Sequence, residues 1–232
     1  MEKNKHKYLE YSIFILKKMK KIILIGSSSD IAKSVSLDSN YELINLSSKT
    51  SNFNILNPES FPTINNIDGL VYFPGTINLK PFKSIKKEEF IEDYNINVLG
   101  IVNVLQYYQN YFNQNSSIIL ISSVAASVGM KYHASISMCK SAVEGLTRSL
   151  ASEFAPKIRV NCIAPSIIET KLSSRLLRSD ATKQNITNNH PLKRIGNTKD
   201  ISNVIEFLIS ENSSWITGQT INVDGGLSNI QV

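Results

Sequence analysis

The sequence predicts an α/β fold on a doubly wound parallel sheet, and three observations carry that prediction. Short runs of Ile, Leu and Val alternate with stretches of helical periodicity from Lys20 onward. The first run, KIILI at 21–25, is apolar without alternation, as a strand buried on both faces requires. It stops at Gly26 and passes straight into a helical pattern, the strand–glycine–helix junction found at the ligand end of such sheets.

The elements follow in order. Residues 1–18 read as a flexible extension ahead of one domain over 19–232. Residues 1–21 hold seven lysines against Glu2 and Glu10, a net of +5 out of the whole chain's +6. The remainder is nearly neutral, so no nucleic-acid surface is expected. The apolar run Tyr11–Leu16 is too short to span a bilayer, and no small-residue cleavage site follows it. Membrane insertion is therefore not expected; an interfacial amphipathic helix is the alternative. Beyond the first strand, the pattern predicts a helix over 31–37, a strand over 42–46 and a strand over 69–73 (GLVYF) that ends in Pro74-Gly75. A single long helix is expected over 84–112, a strand over 117–122, a helix near 135–154 and a strand over 158–164. A polar, mobile segment is expected over 172–197, then a helix over 199–210 and a last strand, TINV, over 220–223. With 232 residues, 42% of them hydrophobic, one core of this size needs neither metal nor disulfide staples. Two cysteines, Cys139 and Cys162, suit a reducing, cytoplasmic setting, and no metal site is expected.

Ligands of such sheets sit beyond the carboxyl ends of the strands. There the chain reads G-S-S-S-D-I-A, Gly26 to Ala32, and the backbone N–H groups at the start of the next helix suit a pyrophosphate. Gly26, Ser28, Ser29 and Ile31 are the expected contacts of this Rossmann-type loop. Asp30 stands where a glycine usually permits close approach of the phosphates and Ala32 where a third glycine would stand, and the simplest role for Asp30 is the cap of the helix. The second strand ends in Ser47-Ser48-Lys49 with no carboxylate. A serine pair beside a lysine accommodates a 2′-phosphate better than an acid does, which favours NADP(H) with NAD(H) as the alternative.

Six ordered blocks then carry a resemblance: INVLG (96–100), ILISSVAA (119–126), KSAVEGLTRSLASEFA (140–155), IRVNCIAP (158–165), PLKRIGNTKDI (191–201) and ITGQTINVDGG (216–226). Over residues 20–228 the chain resembles the short-chain dehydrogenase/reductase family, and within it the 3-oxoacyl-[acyl-carrier-protein] reductases. The resemblance implies a catalytic set in which Asn97, Ser123 and Lys140 match the family's asparagine, serine and lysine. The family's tyrosine falls on position 136, which is Ile136 in ISMCK. An isoleucine donates no proton. His133, seven residues before Lys140 and on the same helical face as Ile136, is the candidate replacement; Tyr132 is a second, needing an irregular loop. By the same resemblance Asn54 and Ile55 lie near an adenine, Gly75 lets the cofactor approach, and Ile168 and Thr170 hold a nicotinamide carboxamide, with Ser166 in place of a glycine.

The reading that follows is an NADP(H)-dependent oxidoreductase interconverting a ketone and a secondary alcohol, with an atypical proton donor. Lys171, Arg175, Arg178 and Lys183 lie in or just before a variable lid and suit either an acidic acyl carrier or an ordinary solvated face. The alternative is a catalytically silent nucleotide-binding homologue acting as scaffold or partner subunit; a dehydration or epimerisation using bound cofactor is a third. The resemblance also implies a homo-oligomer, tetramer or dimer, with the 84–112 and 135–154 helices at its interfaces.

Overall fold

Every strand of the sheet runs parallel to its neighbours, in the order β2-β1-β3-β4-β5-β6. The computed structural model describes residues 19–231, and the extension expected over 1–18 lies outside them. The elements are β1 (Lys20–Ile25), α1 (Asp30–Ser34), β2 (Tyr41–Leu46), β3 (Ile67–Tyr72), α2 (Lys87–Tyr94), α3 (Gly100–Tyr108) and β4 (Phe112–Ile121). They continue as α4 (Ala134–Phe154), β5 (Ile158–Pro165), α5 (Asp180–Asn189), α6 (Thr198–Ile209) and β6 (Thr220–Val223).

The unbroken apolar run of β1 has the physical cause its composition suggests. Ile23 and Ile25 pack on one face with Leu70, Ile118, Leu120 and Val160, under Ile101, Val104 and Leu105 of α3 and Val143 of α4. Ile22 and Leu24 pack on the other with Val71, Ile119 and Ile163, under Ile201, Ile205 and Leu208 of α6. Burying both faces of the strands consumes most of the chain's branched aliphatics. The chain leaves β1 toward β2 on one side and returns to β3 on the other, so the strand order reverses between β1 and β3, opening a crevice at their carboxyl ends.

Several expected elements are corrected. The helix expected over 31–37 is a short piece over 30–34, because Asn40 N–H closes on Asp38 Oδ1 and the chain has already turned into β2. The single helix expected over 84–112 is α2 and α3 joined by one π-helical turn, Asn95–Leu99, and it stops at Tyr108. The strand expected to begin at 117 begins at Phe112. Phe112 pairs with Ile67 and Ser117 with Gly69, so β4 carries three extra residues in an irregularity that no periodicity reveals. The mobile segment over 172–197 contains α5, whose N-cap Ser179 accepts from Thr182 N–H; its sequence, DATKQNITNN, has no apolar stripe to announce it.

The stretch between β2 and β3 is held from above by α3. Phe53 stacks on Phe61 at 4.5 Å, while the hydroxyls of Tyr107 and Tyr108 donate to the Phe61 and Pro62 carbonyls at 3.0 and 2.9 Å. Asn103 Nδ2 donates to the Ile55 carbonyl at 3.0 Å, which fixes Asn54 and Ile55 at the edge of the crevice.

Candidate active site

The crevice divides into two adjoining cavities. The larger, about 710 Å³, is lined by Gly26, Ser28, Ser29, Ile31, Ser47, Ser48, Lys49, Asn54 and Ile55. The smaller, about 240 Å³ and mostly apolar, is lined by Ser123, His133, Ile136, Lys140 and Ile168. Gly75 and Thr170 belong to both walls. Of the site residues read from the sequence, only Asn97 lies behind the wall, next to Gly75.

In the larger cavity Gly26 has φ +76°, and a Cβ there would lie 2.9 Å from the Pro74 ring, so the loops after β1 and β3 cross at this glycine. The cap of α1 is Ser29, whose Oγ accepts from Ala32 N–H at 3.1 Å. This corrects the role expected for Asp30, which is the first helical residue. Its carboxylate accepts from Lys171 N–H at 2.7 Å and so ties the loop to the segment beyond Thr170. Ser47 is buried and its hydroxyl pairs with Thr50 Oγ1 at 2.7 Å, inside its own turn; Ser48 and Lys49 are exposed beside it. Asn54 Oδ1 accepts from Leu56 N–H at 3.0 Å.

The π turn places Asn97. Within that turn the Tyr72 hydroxyl donates to the Ile96 carbonyl at 2.7 Å. Asn97 Nδ2 donates to the Asp93 carbonyl and to Thr76 Oγ1, both at 2.8 Å. Thr76 donates to Asp93 Oδ1 at 2.5 Å, and Ser135 to Asp93 Oδ2 at 2.6 Å. With its NH2 thus committed, the amide turns Oδ1 toward Gly75, and that oxygen is buried with no partner among the described residues. A Cβ on Gly75 would stand 3.2 Å from Asn97 Oδ1 and 3.5 Å from Lys140 Nζ. Asp93 and Thr76 were not found in the sequence. Their only signal is a pair of polar residues near Asn97, which nothing local distinguishes from surface polarity.

Lys140 comes from α4. Its ammonium donates to the Ile121 carbonyl at 2.8 Å, and burial pushes its pKa down to about 8. Burial also pushes the flanking thiols up, Cys139 to about 11 and Cys162 to about 12, so both stay protonated near neutral pH. Ser123 caps the short turn after β4: its Oγ accepts from Ala125 N–H at 3.2 Å, which leaves the hydroxyl proton free to donate into the cavity. Ile136 is buried one helical turn before Lys140. His133 stands at the N-cap position of α4, its Nδ1 2.8 Å from the Lys131 carbonyl, so Nδ1 carries the ring proton. Tyr132, at φ +71°, is 46% exposed and lies outside both cavity walls. On the far side, Ile168 bridges in parallel to Gly196, and Thr170 N–H donates to Ser173 Oγ at 3.1 Å.

The clearance at Gly75, the unspent Asn97 acceptor and the hydroxyl-rich loop fit a dinucleotide. Cleft position and lining together put the chain among the dinucleotide-binding α/β proteins. A family profile described as enoyl-(acyl carrier protein) reductase matches residues 58–228. The chain belongs to the short-chain dehydrogenase/reductase family.

The chain is 36% identical to tropinone reductase-like 3 of Erythroxylum coca over 133 residues, 57% of this chain and 52% of that protein. It is 35% identical to the 3-oxoacyl-[acyl-carrier-protein] reductase FabG of Thermotoga maritima over 164 residues, 69% of this chain and 66% of that protein. It thus spans about half the length of the first relative and about two thirds of the second. Among solved structures, ElxO with NADP bound is 25% identical and superposes with a TM-score of 0.78, over 90% of this chain and 98% of that one.

Proposed function

We propose that the protein is an NADP(H)-dependent oxidoreductase that interconverts a ketone and a secondary alcohol. The observation that carries this reading is the meeting of Ser123, Lys140 and the unpartnered Asn97 Oδ1 around Gly75, where the two cavities join. Bound in the larger cavity, the cofactor supplies the hydride. The loop Gly26–Ile31 holds its phosphates, Ser48 and Lys49 hold a ribose 2′-phosphate, and Ile168 and Thr170 hold the carboxamide. Asn54 and Ile55 border the adenine. In the smaller cavity the Ser123 hydroxyl donates a hydrogen bond to the carbonyl oxygen and polarises it. Lys140 and Asn97 orient the ribose. Met130, Ile136, Leu172 and Leu176 give this cavity an apolar wall, which suits an apolar ketone or an acyl chain. The proton comes from a donor other than the side chain at 136, and His133 is the cavity-lining ring on the same helix.

Exposed Ile91, Tyr94, Leu99 and Met138 on the α2–α3 run and α4 support a homo-oligomer. The second reading, a catalytically silent nucleotide-binding subunit, is favoured by Ile136. Calorimetric titration with NADPH and NADH tests both. Trp215 sits by the amino ends of the strands and is 98% exposed, so the nicotinamide's own fluorescence is the better optical reporter. NADPH is expected to bind about tenfold tighter than NADH, and Lys49→Ala to abolish the difference. A folded protein that binds neither would refute the oxidoreductase; one that binds NADPH but turns over no ketone or alcohol supports the silent subunit.

A further inference from the structure

The smaller cavity holds no phenol at 136, but the chain that leaves β5 brings it a further serine. Ser166 leaves the end of β5 beside Ser123 at the end of the neighbouring β4, where Ile121 pairs with Ile163, and the residue lines the smaller cavity. Ser166 Oγ lies 2.8 Å from Nε2 of His190, a ring that is 3% exposed. His190 Nδ1 lies 2.7 Å from the Ile186 carbonyl in the last turn of α5. A carbonyl only accepts, so Nδ1 carries a proton and Nε2 is left to exchange one with Ser166. With the ring neutral, Ser166 donates to Nε2. With the ring protonated, Nε2–H donates to Ser166, and the serine's own proton is free to turn into the cavity.

His190 also lines a second, separate cleft of about 280 Å³ with Arg194, Asp200, Asn222 and Asp224. Arg194 and Asp200 neutralise each other in a bidentate pair at 2.6 and 2.7 Å, and the Lys193 ammonium is turned to the Asn188 carbonyl. Asp224 is the charge left to act on the ring. Burial pushes its carboxyl up, but hydrogen bonds from Ser228 and Gly226 and the charge of His190 outweigh that and hold it below the ordinary carboxylate range. The Ser166–His190 contact therefore spans the wall between a polar cleft and the reaction cavity.

Resting on the oxidoreductase reading, we propose that Ser166 and His190 are the proton-delivery pair of this site. In the reducing direction the carbonyl carbon takes a hydride from the reduced nicotinamide dinucleotide, and the carbon–oxygen π pair moves onto oxygen. The Ser166 O–H bond breaks as the alcohol O–H forms, and the Nε2–H bond of the imidazolium breaks as the Ser166 O–H re-forms. His190, now neutral, takes a proton from water in the polar cleft. The substrate is reduced, the nicotinamide is oxidised, and one proton from solvent is consumed. Ser166 is then the catalytic residue, and His190 acts through it.

The test uses Ser166→Gly, His190→Asn and the double variant in the full chain, with kcat for a ketone, NADPH affinity and nitrogen NMR of the histidines as readouts. Asn at 190 keeps a donor for the Ile186 carbonyl but cannot pass a proton on. Each single variant is expected to lose about 10²-fold in kcat with unchanged NADPH affinity, and the double variant no more than either single. Ile136→Tyr is expected to raise turnover by a larger factor in Ser166→Gly than in the wild type, whereas a merely structural role at 166 would give the same factor in both. In the protein without cofactor, NMR is expected to show His190 protonated at Nδ1, with an Nε2 resonance that moves in Ser166→Gly. Turnover that survives both single variants, a loss confined to His133→Ala, or an Nε2 resonance indifferent to Ser166 would overturn the pair while leaving the oxidoreductase standing. A wild type that binds NADPH but reduces no ketone, with the expected NMR contact present, would overturn the oxidoreductase reading and with it the delivery role.

Discussion

Lys140→Met should change how the stability of the folded chain depends on pH. Lys140 is 7% exposed, and burial brings its pKa from 10.5 to about 8. That difference corresponds to about 3 kcal/mol of cost for keeping the charge in the folded state. Because the folded pKa lies below the unfolded one, the full cost is present below pH 8. Between pH 8 and 10.5 the unfolded chain binds more protons, so stability rises with pH; above 10.5 the cost is gone. Methionine keeps the length of the side chain and removes the charge, but it leaves the Ile121 carbonyl without its donor, a penalty of about 1–3 kcal/mol that is independent of pH. The variant's stability relative to wild type should therefore fall by about 3 kcal/mol between pH 7 and pH 11. Urea unfolding of both proteins at matched concentration, followed by circular dichroism at pH 7, 8.5, 10 and 11, measures this. A difference that stays constant within about 0.5 kcal/mol over that range would refute the burial argument. The destabilisation is of the kind a site carries when it needs a charge in place.

Three further outcomes follow from the same geometry. Ile136→Tyr should raise ketone reduction by a larger factor in Ser166→Gly, about 10²-fold, than in the wild type, which already holds a proton donor; steady-state kcat is the measurement, and no gain in either background would mean that the rest of the cavity is not arranged for the reaction. Tyr72→Phe should cost about 1–3 kcal/mol in chemical unfolding by stripping the π-turn carbonyl of Ile96 of its donor. Gly100→Ala should also destabilise, because its Cβ would collide with the Tyr72 hydroxyl and lie 2.9 Å from Ile55 Cδ1, and the loss should shrink in the Tyr72→Phe background; simple additivity would refute the collision.

Much of this was legible in the sequence because it is written in local terms. KIILI and IRVNCIA show strands buried on both faces, TINV is a half-exposed strand at the sheet edge, and the 3.6-residue period of 135–154 is kept almost residue for residue in α4. Ser123 and Lys140, read from the motif blocks, line the same cavity as Ile136, Ile168 and Thr170. The failures are equally specific. Asp30 reads as a cap until its carboxylate is seen on Lys171, 141 residues away; its neighbour Ser29 makes the cap instead. The ten-residue β4 hides its first half in a register irregularity, and α5 hides in a polar run.

Local propensity and motif spacing determine where most strands, helices and loops fall, and they bring the candidate site residues to one end of one sheet. Which polar groups face each other across that end is decided only by packing. Ser135 meets Asp93 across 42 residues, Tyr72 meets Ile96 across 24, and Ser166 meets His190 across 24. Each of these contacts joins two elements whose separation depends on how the strands register and how far each helix runs. A one-dimensional pattern carries periodicity along one element, but it carries no distance between two of them.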